Sequence, residues 1–100
     1  MIAEFSVWPL VGASVSEYVA KVVKLVDESG LPYKLNAMGT VVEGDWDEVL
    51  GLIKKCHQLL AGQTERVITN ISIDDRKGKT QRITGKVESI ERILGKEMKK

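Results

Sequence analysis

Along "IAEFSVW" the apolar and polar positions alternate, with Ala3, Phe5 and Val7 on one side and Ile2, Glu4, Ser6 and Trp8 on the other. That is the period of a half-buried strand. Pro9 ends the strand or marks an edge, because it has no N–H for a ladder. The spacing then turns helical: in "SVSEYVAKVVKLVDESG" a stripe of Val15, Tyr18, Val19, Val22, Leu25 and Val26 predicts an amphipathic helix. Ser14, three residues before Glu17, predicts a capping box at its start, and Gly30 with Pro32 predicts its end.

"YKLNA" and "TVVEG" predict two short strands joined at Met38-Gly39, with Gly39 supplying a positive φ that most residues avoid. If Ala37 faces Thr40, Lys34 faces Glu43, an opposite-charge pair on the face away from Leu35 and Val42. Asp45 followed by Glu48 predicts a second helix start. Trp46, Val49, Leu50, Ile53 and Leu60 form its expected buried stripe, and Gly62 closes it. "ERVITNISID" predicts the last strand, with Val67, Thr69, Ile71 and Ile73 on one face and Ile68, Asn70, Ser72 and Asp74 on the other. "DDRKGK" is a polar turn. From about Thr80, the stripe Ile83, Val87, Ile90 and Leu94 predicts a third helix that must dock somewhere, despite Gly85.

This order predicts an α+β fold: a ferredoxin-like βαββαβ sandwich over residues 1–100 as a single domain, a four-stranded antiparallel sheet with two helices on one face, plus a C-terminal helix. By alternation the open face carries Glu4, Ser6, Trp8, Lys34, Asn36, Val41, Glu43, Ile68, Asn70 and Ser72. It is too apolar for plain solvent surface and too polar for plain core, the character of an interface or ligand site.

Charge narrows the choice. The 100 residues carry a formal net charge of +1 from charges of both signs, which lacks the basic footprint of a nucleic-acid binder. A core enclosed by so short a chain leaves much surface uncovered, and oligomerisation would help. Cys56 is the only cysteine and His57 the only histidine, so one chain builds neither a disulfide nor a Cys/His zinc site, and a reducing cytoplasm fits. The opening "MIAEFSVWPLVG" lacks a basic n-region and predicts neither export nor a membrane anchor.

Catalytic chemistry is sparse. Cys56 and His57 are neighbours on a helix, their side chains diverge by roughly 100 degrees, and a packed cysteine beside a surface histidine is the expectation. Asp74-Asp75 could hold a metal, yet before Arg76 and Lys77 they fit a charge-balanced loop better. An acylphosphatase-like site would want an arginine after the first strand, and "PLVGAS" offers none; an RNA-recognition sheet would want several stacking aromatics, and only Trp8 is available. Binding remains. Ser6, Asn36, Asn70 and Ser72 offer neutral donors and acceptors, Trp8 a ring face, and Glu4 or Glu43 a charge to balance a cation, a set suited to a small heteroaromatic or cationic ligand.

"YKLNAMGTVVEG", "ERVITNISIDDRKG" and "ITGKVESIERIL" together resemble the thiamine-binding protein family of small ferredoxin-like proteins, related to the YkoF-type thiamine-binding domains. The "MGT" hairpin and the "IDDR" strand end are the most specific parts of the match. The resemblance implies non-catalytic binding of thiamine or its hydroxymethylpyrimidine part in the cytoplasm, without cofactor or metal, by a homodimer or homotetramer joined through sheet faces or edges. It implies ligand contacts at Asn36, Met38, Gly39, Thr40, Glu43, Asn70 and Asp74; Ser6 and Trp8 are added from the face assignment. Thr40 shares its parity with Leu35 and Val42, toward the helices. The competing expectation is a structural or regulatory oligomerisation module with no small-molecule ligand.

Overall fold

The structure is a computed structural model and describes residues 1–12, 15–78 and 80–99. Its elements follow the predicted order: β1 (Ile2–Pro9), α1 (Ser16–Glu28), β2 (Tyr33–Asn36), β3 (Gly39–Glu43), α2 (Trp46–Ala61), β4 (Val67–Asp74) and α3 (Arg82–Leu94). The strands form one antiparallel sheet in the order β2-β3-β1-β4, the arrangement of a ferredoxin-like sandwich.

Alternation decides which side of each strand is dry. Ala3, Phe5 and Val7 of β1 and Val42 of β3 pack with Val22 and Val26 of α1 and Val49, Leu52, Ile53, Cys56 and Leu60 of α2 to form the core. The register confirms the predicted open face: Glu4 pairs with both Val41 and Ser72, and Ser6 with Asn70. A bond between His57 Nδ1 and Thr69 Oγ1 (2.7 Å) ties α2 to the inner side of β4.

The helix ends follow local chemistry. The predicted helix start at Asp45 and Glu48 is a reciprocal capping box, Asp45 Oδ1 accepting from Glu48 N at 2.8 Å and Glu48 Oε1 from Asp45 N at 3.1 Å. Gly30 follows α1 with φ 77°, the left-handed conformation that ends helices. Ser14, the expected cap of α1, lies outside the described residues. Trp46 corrects an expectation: as the first residue of α2 it faces solvent, 57% exposed, while Leu52 and Cys56 complete the buried stripe.

The hairpin differs from its prediction by one step. Asn36 pairs with Gly39, so Ala37-Met38 are the turn, Lys34 opposes Val41, and the expected Lys34–Glu43 pair becomes a diagonal. Neither turn residue has positive φ, and Gly39 has none either. Its role is close approach: a Cβ at Gly39 would lie 3.0 Å from the Phe5 carbonyl oxygen.

Only the first part of α3 docks. Glu43, on the open face and 9% exposed, accepts a hydrogen bond from Ile83 N at 3.2 Å, and Lys86 pairs with Asp74. Ile83 and Val87 are half-buried, whereas Ile90 and Leu94, further along the predicted stripe, remain exposed. The radius of gyration, 14.9 Å, exceeds the ~13 Å of a compact chain of this length, in keeping with a helix held at one end.

Candidate functional site

β1 is longer than β3. Its pairing with β3 covers Ile2 to Phe5, while its pairing with β4 continues to Pro9. Pro9 is tolerated there because its missing N–H would point to the side where β3 has already turned away. The overhanging end of β1, the tip of the β2-β3 hairpin and the N-terminal half of α1 enclose a cleft of about 280 Å³.

Its walls are mostly apolar. Phe5, Val7 and Leu35 come from the sheet, and Val15, Val19, Val22 and Val23 from α1 and its cap. Of the residues named from the sequence, Ser6, Trp8, Asn36, Met38, Gly39 and Thr40 line this cleft. Among the described residues, none that lines it is Asp, Glu, Lys, Arg or His. Such a site suits a neutral, flat group fixed by a few hydrogen bonds.

Thr40 is the most telling of them. The residue is 5% exposed and turned toward the helix layer as its parity requires. Its hydroxyl has no hydrogen-bond partner among the described residues, and no side-chain oxygen there is both unpartnered and sealed from space. The hydroxyl therefore opens on the cleft. A hydroxyl open to an apolar recess is left unpaired and desolvated by a ligand that fills the recess without bonding to it. Met38, at the hairpin tip, is 91% exposed and overhangs the mouth.

The other expected residues lie elsewhere. Asn70 borders a depression of about 70 Å³ on the open face, shared with Ser6 and Met38. Asp74 sits beside Lys86, whose ammonium holds its carboxyl below the usual range. Glu43 is occupied with the N-terminus of α3, at the opposite end of the sheet from the cleft, and borders a larger opening of about 720 Å³ with Tyr33 and Gln81. The open face thus does not gather all the expected residues into one site. Val23 was missed altogether; an apolar residue one step off the buried stripe of α1 was its signal.

Cys56 is fully buried in the core, and burial pushes its thiol up to about 11. At pH 8 the folded protein then holds about a hundredfold less thiolate than an ordinary cysteine would. Alkylation of Cys56 by iodoacetamide is expected to lag a small-molecule thiol by at least about that factor and to accelerate on unfolding in urea; mass spectrometry against time reads it. The described residues include no cluster of three or more His, Cys, Asp or Glu placed to hold a metal ion. Nor do they include a helix long and apolar enough to cross a membrane.

Fold and cleft together define a small ferredoxin-like α+β protein with a neutral, ring-sized recess between its first helix and its hairpin. Residues 3–91 match the thiamine-binding protein family, and the chain belongs to it. A UPF0045 protein of Methanocaldococcus jannaschii is 42% identical over 91 residues, 90% of this chain and 91% of that one. Its crystal structure superposes with a TM-score of 0.83 over 89% of this chain and 93% of that one. A UPF0045 protein of Mycobacterium bovis is 41% identical over 94% of each chain. A candidate thiamine biosynthesis or salvage protein of Thermotoga maritima shares the fold, with a TM-score of 0.79 at 22% identity over 89% of this chain and 96% of that one.

Proposed function

We propose that the cleft binds thiamine, chiefly through its hydroxymethylpyrimidine part, without chemical change to the ligand, and that the working form is a cytoplasmic homo-oligomer. The observation that carries this reading is the Thr40 hydroxyl, unpartnered and opening into an otherwise apolar recess. An aminopyrimidine is flat and presents donors and acceptors on one edge. Thr40, turned toward the helix layer, can meet that edge and Met38 can cover a face, while Ser6, Trp8 and Asn36 border the cleft from the open face of the sheet. Membership of the thiamine-binding family supports the choice of ring.

Binding rather than catalysis is favoured by the state of the candidate groups. The Cys56 thiol is protonated and walled into the core, and the His57 ring is engaged with Thr69 on the far side of α2 from the cleft-lining residues. An oligomerisation module without a ligand is the second reading, favoured by the exposure of Ile90, Ile93 and Leu94 on α3.

Isothermal titration with thiamine, hydroxymethylpyrimidine and thiamine phosphates tests the proposal. Thiamine and the pyrimidine are expected to bind. The phosphates should bind about tenfold more weakly or worse, because a desolvated phosphate would find no cation among the described lining residues. No heat from any of them at millimolar concentration, with protein shown to be folded, would leave the oligomerisation module standing.

A further inference from the structure

α3 has little of its own to keep it helical. It is 13 residues long, carries Gly85 in its interior and buries none of its residues, and a helix of that length is marginal in water. Its first turn holds no acidic residue, and the side chain of Gln81 at the N-cap makes no bond to it. Gln81 is also the one non-glycine residue with positive φ among the described residues, at φ 53° and ψ 42°. An L side chain crowds the backbone in that conformation, so the entry to the helix is strained.

The sheet supplies what α3 lacks. The register sets Glu43 of β3, Ile2 of β1 and Asp74 of β4 in one row, and the start of α3 spans it. At one end of the row Ile83 N donates to Glu43 Oε1; at the other Lys86 pairs with Asp74. The second contact is about half exposed on both partners and contributes little. The first involves a carboxylate only 9% exposed. Glu43 acts as the missing cap, accepting from a free N–H and placing a negative charge at the positive end of the helix.

We infer that α3 is a detachable strap, helical only while docked, with the Glu43 carboxylate as its latch. Release unwinds the whole segment from Arg82 to Leu94, because a short helix that loses its cap and its docked turn has no other nucleus. The rest of the fold survives, since the hydrophobic core contains no residue of α3. Gln81, Ile83 and Thr84 form one wall of the opening of about 720 Å³ beside Tyr33 and Glu43, so release also takes that wall away. Anything that draws the carboxylate from Ile83 N opens the strap. The inference goes beyond the proposed function and depends on neither its ligand nor its assembly.

Amide hydrogen exchange of the full-length chain, read residue by residue by NMR at one protein concentration, tests it. In the unaltered protein the amides from Gly85 to Leu94 should open at least about a hundredfold more often than those in the middle of α2. Glu43→Gln keeps the shape of the side chain and removes its charge. It should speed exchange about tenfold along all of α3, Ile90 and Arg92 included, and leave α2 unchanged. Gln81→Gly, which relieves the left-handed strain, should slow exchange in α3 about threefold. The inference is overturned if α3 exchanges only together with the core, or if Glu43→Gln has no effect there. A response confined to the first turn overturns it as well, since α3 would then stand without its cap. Should Glu43→Gln fail to fold, the unaltered protein and Gln81→Gly still decide the matter.

Discussion

Gly39→Ala is expected to destabilise the protein by about 1–3 kcal/mol and to weaken ligand binding at the same time. The added Cβ would lie 3.0 Å from the Phe5 carbonyl oxygen and 3.6 Å from Glu4 Cγ. The side chain can swing aside, but the carbonyl belongs to the central strand and is held by the ladder on both of its sides. The hairpin must therefore move away from β1. Asn36, Met38 and Thr40 move with it, and they form one wall of the cleft. Gly51→Ala is the control of opposite sign: Gly51 lies inside α2 with open space around a Cβ, so alanine should stabilise by up to about 1 kcal/mol through helix propensity. Urea denaturation of both variants, beside titration with thiamine and hydroxymethylpyrimidine, separates the two outcomes. An unchanged midpoint and affinity in Gly39→Ala would mean that the close approach of hairpin and β1 is not needed.

That glycine also shows where sequence patterning stops. "NAMGT" admits two adjacent two-residue turns, Ala37-Met38 and Met38-Gly39, and a local rule that prefers glycine inside a turn selects the second. What decides for the first is a contact with Phe5, distant along the chain, that requires glycine in the strand. Trp46 failed for a related reason. Helical spacing puts it on the stripe, but the first residue of α2 projects past the end of the layer it would need to bury against.

The properties carried by short periods were legible. The element order, the faces of β1, β3 and β4 and the helix start at Asp45 all follow from spacing and local hydrogen bonding. Location was not. Alternation placed Thr40 toward the helices, which looks like a structural role, because parity says which side a residue faces and not whether that side is filled. The recess exists because β1 outruns β3, and strand lengths in a sheet are fixed by pairing, which no single segment encodes. Likewise Glu43 and Asp74 were correctly assigned to the open face, but the helix that engages both of them arrives from the far end of the chain.

Thr40→Val is expected to lower the affinity for the pyrimidine ligand by roughly ten- to a hundredfold while leaving the stability of the free protein unchanged or slightly raised. The two side chains have nearly the same shape, so packing against the core is kept. In the free protein the hydroxyl has no partner among the described residues and opens on the cleft, so valine breaks no bond within the fold. In the complex the same replacement leaves a donor or acceptor of the ligand desolvated and unpaired, which carries the full penalty of a broken buried hydrogen bond. A residue serving only the fold would behave in the reverse sense, with stability falling and affinity following it. Paired measurement of the urea midpoint and of titration calorimetry distinguishes the two, and Thr40→Ser, which keeps the hydroxyl but loses the methyl, should show the opposite split: a loss of about 1 kcal/mol in stability with most of the affinity retained. Equal affinity in Thr40→Val and the unaltered protein would remove Thr40 from the site, and with it the observation on which the thiamine proposal rests.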